Sequence, residues 1–106
     1  MSVNWIFVGH IDEVPFLGSR VVRTDHEDIA VFKTANGTIF ALIDRCPHLG
    51  GPLSQGMVHG NSVSCPLHNW NISLESGEVI GPDQGCTRTI PIEVRKGQIY
   101  IGLCKK

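Results

Sequence analysis

Apolar residues in this chain come in short runs broken by turn formers. Ile29 to Phe32 reads Ile-Ala-Val-Phe, and Thr38 to Ile43 reads Thr-Ile-Phe-Ala-Leu-Ile. Ile90 to Val94 alternates Ile-Pro-Ile-Glu-Val, and Gln98 to Leu103 alternates again. These lengths and residue types predict β-strands. Asn36-Gly37 lies between the first two runs and predicts a hairpin turn. Lys96-Gly97 and Gly60-Asn61 predict two further turns. No segment sustains a 3.6-residue apolar period with caps, so little helix is expected. The chain contains no internal repeat and no low-complexity linker. The pattern predicts one small all-β domain.

Charge divides the chain differently. The 106 residues carry nine Lys and Arg against ten Asp and Glu, a net charge of −1. That balance is a poor match to nucleic-acid phosphates or anionic lipid, so neither is expected as a partner. None of the charged residues falls between Cys46 and Leu74. Gly50-Gly51-Pro52 and Cys65-Pro66 mark loops within that uncharged window. The window therefore reads as two loops meeting at one tip, joined by a hairpin from about Met57 to Ser64. No apolar stretch has the length of a membrane helix. Met1-Ser2-Val3-Asn4-Trp5 does not resemble a secretory signal, so the cytoplasm is the expected compartment. Cysteines there hold metal or do redox chemistry more often than they form disulfides.

The two loops hold Cys46-Pro47-His48 and Cys65-Pro66-Leu67-His68. The pattern is C-x-H followed by C-x-x-H, one thiolate and one imidazole from each loop. A structural zinc ion accepts two Cys and two His, but its usual knuckles pair like with like. A nucleophilic Cys-His pair would be present twice over. A Cys46–Cys65 disulfide would leave both histidines unexplained. A [2Fe–2S] cluster in which two His replace two Cys on one iron accounts for the mixing. Cys46 and Cys65 would bind one iron, and His48 and His68 the other.

Cys46-Pro47-His48-Leu49-Gly50-Gly51-Pro52-Leu53 and Cys65-Pro66-Leu67-His68-Asn69-Trp70 resemble the two cluster loops of Rieske ferredoxin-type domains. Further stretches resemble the small subunits of cytoplasmic NAD(P)H-dependent nitrite reductases. They are Gly18 to Val22, Ile29 to Thr34, Asp44-Arg45, Leu53 to Gly60 and Asn69 to Leu74. The resemblance implies an all-β Rieske fold. Its basal barrel or sandwich would comprise residues 1–43 and 82–106, with a cluster-binding subdomain at 44–81 inserted between them. It also implies an electron-transfer subunit, not catalytic alone, serving a large subunit that carries sirohaem, flavin and NAD(P)H sites. No G-x-G-x-x-G fingerprint occurs in this chain. The expected docking surface for that subunit is the cluster tip, rimmed by Leu49, Pro52, Leu53 and Leu67. The alternative role is the Rieske ferredoxin of an aromatic-ring dioxygenase system.

High-potential Rieske proteins carry an extra Cys in each loop, where this chain has Leu49 and Leu67. They also place Ser and Tyr after the second His, where this chain has Asn69-Trp70-Asn71. Fewer donors to the sulfurs predict a reduction potential near the low end of the Rieske range, about −150 mV. Among single residues, His59 reads as hydrogen-bonded and not a fifth ligand. Trp70 reads as packing beneath the second loop, and Ser54 or Gln55 as a candidate donor to the cluster. Arg45 could offset cluster charge or serve an ordinary ion pair. Cys86 and Cys104 read as unpaired. Asp25-His26-Glu27-Asp28 reads as a solvated turn.

Overall fold

The computed structural model describes residues 3–24, 27–45, 52–65, 70–80 and 85–104. Ten strands are present among them: β1 (Val3–His10), β2 (Gly18–Arg23), β3 (Asp28–Lys33), β4 (Ile39–Ile43), β5 (Met57–His59), β6 (Ser62–Ser64), β7 (Asn71–Ser73), β8 (Val79–Ile80), β9 (Ile92–Arg95) and β10 (Gln98–Cys104). The helical content of the described residues is two 3-10 turns, Ile11–Glu13 and Leu53–Gln55. All strand pairings are antiparallel, in three sheets ordered β1-β10-β9, β2-β3-β4 and β5-β6-β7-β8.

The middle sheet explains the unbroken apolar run at Ile29–Phe32. Successive strand residues point to opposite faces. Ala30, Phe32 and Leu42 pack on one side with Leu53, Val58, Val63, Cys65, Ile72 and Leu74. Ile29, Val31, Ile39, Ala41 and Ile43 pack on the other with Ile90, Ile99 and Ile101. A strand buried on both faces has no reason to alternate. The β5–β8 sheet and the β1-β10-β9 sheet thus lie against opposite faces of one central layer. The unpaired edge of β4 is met by the 88–90 segment, through Ile43 N–H to Arg88 O and Ile90 N–H to Ala41 O, each 2.9 Å.

The turns follow their residues. Lys96 and Gly97 both have positive φ, 50° and 78°, and close a two-residue loop between Arg95 and Gln98. That is the left-handed pair a tight hairpin needs. At Asn36-Gly37 the hairpin forms as expected, with Gly37 at φ 88° and Thr34 N–H bonded to Thr38 O at 3.0 Å. The β5–β6 hairpin spans Met57 to Ser64 and turns at Gly60, φ 58°.

Four strands, β1, β2, β7 and β8, had no clear sequence signal. In β1 the exposed face carries Trp5 and Phe7, so it does not show an apolar-in, polar-out pattern. β2 is edge-like, with Arg20 and Arg23 exposed. The acidic run is not simply a solvated turn either. Asp28 begins β3 opposite Arg23, and Glu27 forms an ion pair with Arg88. Asp25 and His26 lie outside the described residues.

Candidate metal centre

Of the four expected ligands, the described residues include Cys65. Cys46, His48 and His68 lie outside them, as do Leu49 and Leu67. Cys65 follows β6 directly and is a fully buried free thiol in the core shared with β3 and β4. Its backbone N–H donates to Trp70 O at 2.7 Å, which closes the second loop at its base. Trp70 is half-buried against the same core, the packing position expected for it.

The first loop begins after Asp44 and ends at the Leu53–Gln55 turn. Asp44 Oδ1 accepts the Ser54 backbone N–H at 2.6 Å, and Oδ2 accepts the Ser54 hydroxyl at 2.7 Å. The Ser54 hydroxyl proton is therefore committed to a carboxylate, which removes it as a donor to the cluster. Ser54 O in turn accepts from Ser19 Oγ on β2 at 2.8 Å. Gln55 is exposed. Sequence reasoning singled out Ser54 without finding Asp44 as its partner; the ten-residue separation hides that pairing.

Leu53 corrects the expected docking rim. It is completely buried, packed in the core beside Phe32 and Cys65. The 3-10 turn after Pro52 aims it inward and leaves Pro52 exposed. Leu53 thus anchors the far end of the first loop and presents nothing to a partner.

On the outer face of the β5–β8 sheet, His59 joins a polar network. Its Nε2 lies 2.8 Å from Ser64 Oγ and 3.0 Å from Asn71 Oδ1, while Nδ1 lies 3.2 Å from Ser62 Oγ. Ser64 Oγ donates to Asn71 Oδ1 at 2.9 Å, so both atoms near Nε2 act as acceptors and Nε2 carries a proton. This network ties β5, β6 and β7 together immediately before Cys65. His59 is hydrogen-bonded, as its position between the loops implied. Gly56 makes a further close approach: a Cβ there would stand 2.0 Å from Ser64 O. Arg45 is exposed, with no ion pair among the described residues. Cys86 is exposed and free.

These observations fit a thiolate-bound inorganic centre. A buried free thiol ends a strand, and each expected ligand loop is closed at its base by hydrogen bonds. Cys65 is the described member of the donor set expected from the sequence, two Cys and two His with one pair from each loop. No helix among the described residues is long and apolar enough to cross a membrane.

Residues 4–91 match the family described as Rieske [2Fe-2S] domain. The 3-phenylpropionate/cinnamic acid dioxygenase ferredoxin subunit of Photorhabdus laumondii is 37% identical over 101 residues, covering 93% of this chain and 94% of its own. A solved structure assigned as an NADH-dependent nitrite reductase small subunit, from Mycobacterium tuberculosis, superposes with a TM-score of 0.89. It covers 100% of both chains at 18% identity. The Sphingomonas yanoikuyae B1 ferredoxin superposes with a TM-score of 0.84 at 21% identity, covering 95% of this chain and 100% of that one.

Proposed function

The chain belongs to the Rieske [2Fe–2S] domain family, and from that premise we propose that it is the electron-transfer small subunit of an assimilatory NAD(P)H-dependent nitrite reductase. A Rieske domain carries one [2Fe–2S] cluster, which when bound supplies one-electron transfer. The proposed ligands are Cys46 and Cys65 on one iron and His48 and His68 on the other. The observation that carries the assignment is Cys65: a buried free thiol at the end of β6, beneath a hydrogen-bonded loop base. We assign the cluster-binding subdomain to residues 44–81 and the basal part to 1–43 and 82–106. The uncharged 46–74 window sets the local dielectric low and offers a partner shape and apolar surface, not steering charge. Pro52, Leu49 and Leu67 remain the proposed contact residues, without Leu53. The proposed compartment is the cytoplasm.

Reduction of nitrite to ammonia takes six electrons, so a single-electron carrier serves it only alongside a large subunit holding sirohaem, flavin and NAD(P)H. Support for this partner comes from the stretches that resemble nitrite reductase small subunits: Gly18 to Val22, Ile29 to Thr34, Asp44-Arg45, Leu53 to Gly60 and Asn69 to Leu74. A second reading is favoured by the Photorhabdus laumondii relative: a Rieske ferredoxin serving an aromatic-ring dioxygenase. Deleting the gene in its host separates the two. Loss of growth on nitrite as sole nitrogen source, with co-purification of the tagged chain and a sirohaem protein, supports the first. Normal growth on nitrite with lost growth on an aromatic acid overturns it in favour of the second. Iron content and a rhombic EPR signal of the reduced protein test the ligand set: Cys65→Ser is expected to abolish both.

A further inference from the structure

The two ligand loops are closed in different ways. The second is closed by a main-chain bond, from Cys65 N–H to Trp70 O, beside the Ser64 Oγ to Asn71 Oδ1 bond. The main-chain bond survives most changes of side chain. The first is closed by side chains. Asp44 stands two positions before Cys46, and Ser54 stands three beyond Gly51. Both carboxylate oxygens of Asp44 are taken by Ser54, one by its N–H and one by its hydroxyl. Two bonds to one side chain fix orientation as well as distance. The Asp44 main chain is held separately, its N–H donating to Asp28 O at 2.9 Å at the start of β3. The Ser54 carbonyl is held by Ser19 on β2.

We propose that Asp44 is a positioning residue for the cluster: its grip on Ser54 sets the span of the first loop and so holds Cys46 and His48 in place against Cys65 and His68. This rests on the ligand assignment above. The nine residues from Arg45 to Leu53 must present two ligands from a fixed base. Release of the grip leaves the far end of the loop held by the burial of Leu53 and the Ser19 bond. The first arm then wanders relative to the second, and the cluster is lost through that arm.

The test compares the holoprotein with Asp44→Ala, Asp44→Asn and Ser54→Ala. Cluster loss is followed as bleaching of visible absorbance under an iron chelator, beside the EPR spectrum of each reduced protein and its thermal melt. Asp44→Ala is expected to lose cluster about tenfold faster, with a broadened EPR signal, and Ser54→Ala about threefold faster. Asp44→Asn is expected to stay within about twofold of wild type, because its amide oxygen still accepts the Ser54 N–H and its NH₂ still reaches the Ser54 hydroxyl. Equal half-times in all four proteins overturn the proposal. So does Asp44→Asn behaving like Asp44→Ala, which assigns the effect to the carboxylate charge. If Asp44→Ala does not fold, Ser54→Ala decides. Wild-type protein that binds no [2Fe–2S] cluster defeats the ligand assignment itself, and the proposal with it.

Discussion

Replacing Leu53 by Ala separates an anchor from a docking contact. Leu53 is fully buried, in one core with Ala30, Phe32, Leu42, Val63, Cys65 and Ile72. Removing three side-chain carbons from such a site loses their transfer free energy and leaves a cavity. For a site lined by strands on several sides, collapse is limited, and the cost is about 3–4 kcal/mol. That is a large share of the roughly 5–15 kcal/mol that holds a domain of this kind folded. At this chain length it lowers the melting temperature by about 15–25 °C. Leu53→Met, close in volume, should cost less than about 1.5 kcal/mol. Thermal unfolding by circular dichroism, with the visible absorbance of the cluster recorded on the same sample, measures both variants. The expected result for Leu53→Ala is early melting with the cluster lost alongside the fold. A melting temperature within about 3 °C of wild type, together with weakened partner binding, would refute the reasoning and return Leu53 to the docking rim.

Gly56→Ala sets a Cβ against the Ser64 carbonyl, so it should cost about 3 kcal/mol by overpacking, read in a denaturant melt. His59→Ala removes the group joining Ser64 and Asn71 and should cost about 1 kcal/mol, seen as faster amide exchange in β5 and β6. The Glu13 carboxyl lies below the ordinary carboxylate range, first through the His10 backbone N–H it accepts and then through Arg20. A depressed folded pKa gives stability that is present above the unfolded pKa and lost as pH falls through the folded one. Glu13→Gln should therefore flatten the acid limb of a plot of melting temperature against pH. The midpoint potential should fall near about −150 mV by redox titration followed by EPR, and a value near about +300 mV would contradict the donor count around the loops.

Much of the fold was legible in the chain because its determinants are local. Two-residue turns at Gly60-Asn61 and Lys96-Gly97 need left-handed backbone, and Gly supplies it. Four runs of β-branched and aromatic residues became β3, β4, β9 and β10, to within one or two residues at most ends. The mixed Cys and His spacing carried the cofactor for the same reason: ligand type and interval are properties of sequence. What lay beyond it depended on contacts across the fold. The Ile29–Phe32 run does not say which sheet covers each face, and that is decided by where β10 and the β5–β8 sheet pack. Leu53 stands beside exposed Pro52 in an uncharged loop, and nothing in their order tells which turns inward. The 3-10 geometry after Pro52 decides it, by turning Leu53 into the core beside Phe32 and Cys65. Asp44 and Ser54 are ordinary residues ten positions apart, and they act as a pair only because the loop between them returns to the edge of β2.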